Sequence, residues 1–307
     1  MSLFDKPLER KVCFAAIPTP IASDVENLDA PIALNPACDL LERLSKYVDG
    51  VVVCGCTGHD SSFSVEEQVG FIRFVQENFG KKLEVIAGDG ANSTKEAIEL
   101  AQRVEAEAGV FVHLQISPYK VKPEQEGIMK HYEAVANSIE GRVILYDVPT
   151  RTGGVGISPG TAVRLAKHPQ IIGIKEAAPG DEGIERATEI IQSTLGEDFF
   201  VLSGNDEYTL ELLRRGAMGA ISVGANVESD VAFVSTHFGA NYEKACQVDE
   251  RLKPLYDILF VETNPQPLHY MLRQQGFNVG VPRLPLTEVR PENRIQIREV
   301  MMRLNLF

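Results

Sequence analysis

Ile171-Ile-Gly-Ile-Lys175-Glu-Ala177 is the stretch on which the reading of this chain turns. Its apolar run has no polar alternation, which marks a parallel strand covered by helices on both faces. A lysine closing such a strand is unusual, because an ammonium is seldom buried without a use. Burial disfavours the charged form of an amine. A lysine here is therefore a candidate neutral nucleophile that attacks a carbonyl and forms an imine. The plainer alternative is a strand-end lysine that reaches solvent or pairs with Glu176, and on spacing alone the two readings stand level.

Working outward, similar short apolar runs recur roughly every thirty residues with helix-period segments between them. The pattern predicts strands at Val12–Ile17, Gly50–Cys54, Leu83–Ala87, Val110–Ile116, Arg142–Val148, Ile171–Lys175, Phe199–Ser203 and Gly219–Val223. Helix starts are marked too. Ser64 ahead of Glu66 and Glu67 is an N-cap with an acidic first turn, Ser93 with Glu96 spells a capping box, and Ser158-Pro159 has the cap-then-proline order. Eight strands alternating with helices mean a barrel or a doubly wound sheet. No G-x-G-x-x-G follows the first strand, against the dinucleotide fold. Polar residues instead gather just past the strands (Thr19, Thr57, Asp89, Asn92, Tyr119, Arg151, Glu176, Asn205 and Asn226), where barrel active sites are built. The expected architecture is an α/β protein, a (β/α)8 TIM barrel over residues 1–235 with a C-terminal helical extension over 236–307. Helices are predicted there at Tyr242–Phe260, Pro267–Gln275 and Arg294–Leu304.

Composition sets the outer limits. Of 307 residues 44% are hydrophobic and 24% charged, ordinary for a globular chain. A net charge of −13 disfavours nucleic acid and anionic membrane as partners, though a local Arg or Lys still suffices for a small anionic substrate. No run of about eighteen apolar residues occurs, so no membrane span is expected. The five cysteines (Cys13, Cys38, Cys54, Cys56 and Cys246) are odd in number and irregular in spacing, which points to reduced thiols and a cytoplasmic protein. Met1 to Lys11 lacks the apolar core of a signal peptide. No metal site is expected, since the six histidines form no H-E-x-x-H arrangement; His113, alternating with apolar neighbours, reads as a structural histidine.

Two more segments carry chemistry. Tyr146-Asp-Val-Pro-Thr-Arg151-Thr-Gly153 ends the fifth strand. A phenol beside a Schiff-base lysine can relay protons, and the Arg151 fork suits a carboxylate. By itself the segment reads better as a packed tyrosine before a Pro and Gly turn. Gly55-Cys-Thr57-Gly-His59 follows the second strand, and its small residues let backbone N–H groups and the Thr57 hydroxyl approach a ligand carboxylate. Such turns are common in barrels, and Gly88-Asp-Gly-Ala-Asn92 is equally unspecific alone.

Taken together and in this order, these segments resemble the pyruvate-dependent class I lyase family that includes dihydrodipicolinate synthase and N-acetylneuraminate lyase. The resemblance runs through Gly55–Gly58, Gly88–Ala97, Ser117–Tyr119, Tyr146–Gly153, Ile171–Ala177, Leu202–Asp206 and Ile221–Val227, nearly the whole chain. Thr150–Gly153, Leu259–Pro265 and Arg283–Leu286 look most like the synthase branch. The resemblance implies that Lys175 is the Schiff-base lysine and Tyr146 the proton donor and acceptor. Thr57 and the backbone at Ile221 would bind pyruvate, and Arg151 the carboxylate of aspartate semialdehyde. It further implies no cofactor, pyruvate and an aldehyde as substrates, a place in lysine biosynthesis, and a homotetramer. A sugar-acid aldolase or dehydratase, acting for instance on 2-keto-3-deoxygluconate, is the second reading; a non-catalytic 2-oxo-acid-binding barrel is the third. The chain departs from the family at Cys56, where a hydroxyl is usual, at Lys120, where a tyrosine usually reaches a neighbouring subunit, and at His59, where glutamate is usual. The proton relay would then involve Cys56, Lys120 and Tyr119. The loop after Arg151 is one residue longer. At the family's lysine-effector positions Asn92, Glu96 and Tyr119 are kept, with Asp60 and Ser61 alongside, but Val65 and Gln68 replace two histidines.

Overall fold

The computed structural model describes residues 2–307, in which eight parallel strands close into a barrel in sequence order. They are β1 (Val12–Ala16), β2 (Gly50–Val53), β3 (Glu84–Gly88), β4 (Val112–Ile116), β5 (Arg142–Asp147), β6 (Ile171–Glu176), β7 (Phe200–Ser203) and β8 (Gly219–Ser222). Every predicted strand is present. The largest shift is at β4, which starts at Val112 because the preceding π-helical turn Val104–Ala108 runs on to Gly109, left-handed at φ 67°. The (β/α)8 TIM barrel is thus the observed fold. Helices α1 (Leu34–Leu44), α2 (Val65–Phe79), α3 (Thr94–Arg103), α4 (Gln125–Ala136), α5 (Pro159–Leu165), α6 (Gly180–Ser193), α7 (Thr209–Arg215) and α8 (Ser229–Thr236) alternate with the strands, and α9 (Tyr242–Ile258), α10 (Gln266–Gln274) and α11 (Pro291–Leu304) follow.

Local chemistry explains these starts. Ser64 Oγ accepts from the N–H of Glu67 and the Glu67 carboxylate accepts from the N–H of Ser64, a reciprocal box opening α2. Ser158 Oγ caps α5 through the N–H of Thr161, with Pro159 in the first turn. The capping box expected at Ser93 does not form. Neighbours fix that turn instead. The Asn92 side-chain oxygen accepts from the N–H groups of Tyr119 and Lys120, and the Thr94 hydroxyl pairs with His131 Nδ1.

Side chains divide by face as the pleat demands. Phe14, Val52, Ile86, Leu114, Ile144, Leu202 and Ile221 fill the barrel interior. Val143, Leu145, Ile174 and Val201 point outward against Ile128, Tyr132, Leu165 and Ile190 of the surrounding helices. A third cluster joins Cys13, Ala15, Val51 and Val85 to α1 and α2, and continues through Leu252 and Leu255 of α9, Met271 of α10 and Ile297 of α11. The C-terminal helices therefore share their apolar contacts with the barrel.

Strand β6, which carries Lys175, has an irregularity. Val143 pairs with Ile171, but the next residue, Ile144, pairs with Gly173. The extra residue resets the alternation: Ile172 faces the interior, Ile174 faces the helices, and Lys175 is returned to the inside. Gly173 is required there, since a Cβ would lie 2.4 Å from the Phe200 ring.

Candidate active site

Lys175, the penultimate residue of β6, is in register with Tyr146 on β5, and its Nζ stands 4.3 Å from the centre of the Tyr146 ring. The residue is 5% exposed. Burial lowers its pKa to about 8; Cys56 and Asp206 act against that shift and Arg151 with it. The bland alternative of a lysine in solvent or paired with Glu176 is excluded, because Glu176 occupies the opposite face of the strand, beside Asp147.

A chamber of about 510 Å³ opens above the strand ends, lined among others by Lys175, Tyr146, Cys56, Thr57 and Arg151. Burial holds the Tyr146 phenol well above its ordinary range, with the neighbouring Cys56 adding to it. Burial also raises the Cys56 thiol. At neutral pH both are proton-bearing groups. Five of the predicted residues thus meet in one cavity, although 118 positions separate Thr57 from Lys175 in the sequence.

A second compartment of about 240 Å³ adjoins the first across the shared wall of Cys56, Tyr146, Arg151, Thr263 and Asn264. Leu114 and Ile116 give it an apolar floor, and Asp60 and Tyr119 lie on its walls. Glycine is needed beneath it: a Cβ on Gly88 would lie 2.6 Å from Gly55 backbone, and one on Gly90 2.4 Å from the Ile116 nitrogen.

The remaining predicted residues lie further out. Ile221 is buried in β8, and the chamber wall reaches Val223, two residues beyond it. Lys120 is exposed and lies outside the lining of both compartments, whereas Tyr119 lines the outer one. Asn92 sits under that loop through its two backbone hydrogen bonds, and Glu96 is exposed on the first turn of α3. His59 is buried in the left-handed conformation, its Nε2 2.6 Å from Ser62 Oγ, and burial lowers its pKa to about 4. His113 is the structural histidine expected. It lies 2.6 Å from Asp89, and the Asp89 and Glu105 carboxylates overcome burial to raise its pKa to about 9.

One central residue carried no readable signal of its own. Asn264, in the turn between α9 and α10, donates from Nδ2 to Thr57 Oγ1 at 2.9 Å and offers its backbone oxygen to Arg151 at 3.1 Å. Its Oδ1 is buried without a partner. It ties together the two residues predicted to hold the substrate carboxylates. It lies in a turn, where no periodicity marks it, and only the resemblance of Leu259–Pro265 pointed to that segment.

The fold and the site define a class: a (β/α)8 barrel whose strand ends surround a buried, partly neutral amine with a phenol and a guanidinium. Residues 39–304 match the dihydrodipicolinate synthetase family, and the chain belongs to that family. It is 41% identical over 273 residues to the 4-hydroxy-tetrahydrodipicolinate synthase of Archaeoglobus fulgidus, covering 87% of this chain and 90% of that protein. Identity is also 41% over 276 residues to the synthase of Haloarcula marismortui, covering 89% and 88%. Among solved structures, the dihydrodipicolinate synthase of Cyanidioschyzon merolae with lysine bound superposes with a TM-score of 0.90 at 33% identity, over 97% of this chain and 99% of that one. The Thermotoga maritima enzyme gives 0.90 at 31% over the same shares.

Proposed function

We propose that this protein is a class I lyase that condenses pyruvate with aspartate semialdehyde to 4-hydroxy-tetrahydrodipicolinate, a step of lysine biosynthesis. The observation that carries the reading is Lys175, a buried amine with a lowered pKa facing a phenol across 4.3 Å. The neutral amine attacks the ketone carbon of pyruvate, and the carbinolamine loses water to give an imine. Loss of a methyl proton gives an enamine, whose carbon attacks the aldehyde. The amino group of the second substrate then displaces Lys175, closing the ring and freeing the lysine, so one water leaves per turnover. Tyr146, kept protonated by burial, passes protons at the carbinolamine and at the new alkoxide. Thr57, oriented by Asn264, and the backbone at Ile221 hold the pyruvate carboxylate; Arg151 holds that of the aldehyde. Cys56 and Tyr119 complete the relay; Lys120, exposed and outside both compartments, is left out of it within this chain.

In the same reading residues 1–235 are the barrel unit and 236–307 an extension whose Phe260–Asn264 turn closes the chamber. The enzyme works in the cytoplasm, consistent with five free cysteines, and as a homotetramer, as the family resemblance implies. Among the described residues no helix is long and apolar enough to cross a membrane.

The test is borohydride capture with pyruvate followed by peptide mapping, then a substrate panel. One pyruvate-derived adduct on the Lys175 peptide is expected, absent in Lys175→Ala, with turnover on aspartate semialdehyde. An adduct that persists in Lys175→Ala refutes the imine. Cleavage of 2-keto-3-deoxygluconate without synthase activity refutes the substrate.

A further inference from the structure

Behind the chamber lies an acidic cluster that this chemistry leaves unused. One register position beyond Tyr146 and Lys175, Asp147 pairs with Glu176. Alternation turns the second pair outward, toward α5 and α6, where Asp147 is 0% and Glu176 2% exposed. Asp147 Oδ1 accepts from the N–H of Ile157 at 3.0 Å, and its other oxygen pairs with Arg186 of α6. Glu176 Oε1 accepts from the N–H of Ala178 at 2.8 Å, while its Oε2 is buried and accepts from no N–H or hydroxyl donor. Arg186 also donates to the Ile157 oxygen at 2.7 Å, and it is seated where a Cβ on Gly156 would lie 2.7 Å from its nitrogens. Among the described residues Arg186 is the cation paired with this cluster. Two buried carboxyl groups sharing one guanidinium are electrically balanced only when one of them keeps its proton.

We propose that Glu176 stays protonated at neutral pH and donates its proton as a hydrogen bond to Asp147, making it a positioning residue for Lys175, Tyr146 and the loop that carries Arg151. The hydrogen bond joins the two strand ends just behind the reacting side chains. Asp147 in turn holds Ile157, the far end of the loop that begins at Val148 and contains Arg151. The surroundings supply the proton balance. On β5 the facing group is Asp147 and on α6 Arg186. On β7 the register partner is uncharged Ser203, α4 brings the Tyr132 phenol toward Asp147, and Arg164 of α5 is exposed. Burial first, then the Asp147 charge, push the Glu176 carboxyl up to about 8. Above that pH two adjacent carboxylates repel, and the Asp147 anchor of the Arg151 loop loosens.

The inference rests on the proposed function for its kinetic arm only, so an arm independent of turnover is included. Infrared difference spectra of protein labelled with carbon-13 glutamate should show a protonated carboxyl band at neutral pH that disappears as the pH is raised. The band should be missing in Glu176→Gln, and also in Asp147→Asn, where Arg186 is left to a single carboxylate. In steady-state kinetics the KM for the aldehyde should rise by about tenfold over the alkaline limb in the wild type, the effect of roughly one pKa unit of coupling. It should stay flat in Glu176→Gln, whose amide keeps the hydrogen bond and has no proton to lose. A missing band in the wild type at neutral pH overturns the proposal, as does a band that survives in Asp147→Asn. An alkaline KM profile that is the same in wild type and Glu176→Gln overturns it too. Absence of synthase turnover would count against the function alone, because the infrared arm decides the protonation state by itself.

Discussion

Replacing Lys175 by methionine should make this protein more stable at neutral pH, and the size of the gain follows from the burial of the amine. The residue is 5% exposed and its pKa is lowered from 10.5 to about 8, burial being the main cause. The unfolded chain keeps the ordinary value, so between the two pKa values the unfolded state binds more protons. Folding stability therefore rises with pH through this window, and below about pH 8 the native state carries the cost of discharging or burying the ammonium. At pH 7 that cost is a little over 3 kcal/mol, from roughly 2.5 pKa units at ~1.36 kcal/mol each. Methionine has similar length and no charge, so Lys175→Met removes the cost while keeping the packing. Urea unfolding of wild type and variant should differ by about 3 kcal/mol at pH 7, and the difference should shrink toward zero near pH 10.5. The same shift governs reactivity. At pH 7 about 10% of such an amine is neutral against about 0.03% of an ordinary lysine, a gain of roughly 300-fold in nucleophile. Trapping of pyruvate should therefore climb with pH, reach half its maximum near pH 8 and level off about one unit above. Equal stabilities at all pH values, or trapping that climbs unbroken to pH 10, would refute the argument that burial prepares this amine.

Three further outcomes are expected. Arg151→Ala should still form the pyruvate imine but raise the aldehyde KM by roughly 30- to 150-fold, since an unpaired buried carboxylate costs about 2–3 kcal/mol; trapping and KM measured side by side check this. Cys56→Thr should raise kcat with aspartate semialdehyde by up to about tenfold, ~1.4 kcal/mol of barrier, because a hydroxyl donates and accepts where a neutral thiol does both weakly. The alkaline and acid limbs of its pH profile should move as well, and loss of activity in both Cys56→Thr and Cys56→Ser would show that the thiol itself is needed. Lysine should inhibit weakly, because Val65 offers no hydrogen bond and the Gln68 amide is already spent on the carbonyl oxygens of Asp60 and Phe63. Half-maximal inhibition below millimolar lysine in a steady-state assay would contradict this.

By itself the sequence determined the class of fold and most of the chamber. Buried parallel strands must be apolar along their whole length, and helices over a barrel must be amphipathic, so both periods are written locally. Lys175, Arg151 and Thr57 could be marked because each sits at or just past a strand end, where barrel sites are built, whereas Tyr146 alone read as a packed tyrosine and Cys56 was singled out only by the family resemblance. The capping box at Ser93 shows the limit of local signals: the residues allow it, and competing bonds from Tyr119, Lys120 and His131 satisfy that turn in another way. What tertiary structure decided was the direction of side chains and the company they keep. One extra residue between Ile171 and Gly173 turns Lys175 into the barrel, and no propensity announces such a bulge. Asn264 reaches Thr57 from a turn 207 positions away, and Asp147, Glu176 and Arg186 form a charge balance across two strands and a helix. Hydrogen bonds and proton sharing depend on distances of about 3 Å, and only the closed barrel sets those distances between residues far apart along the chain.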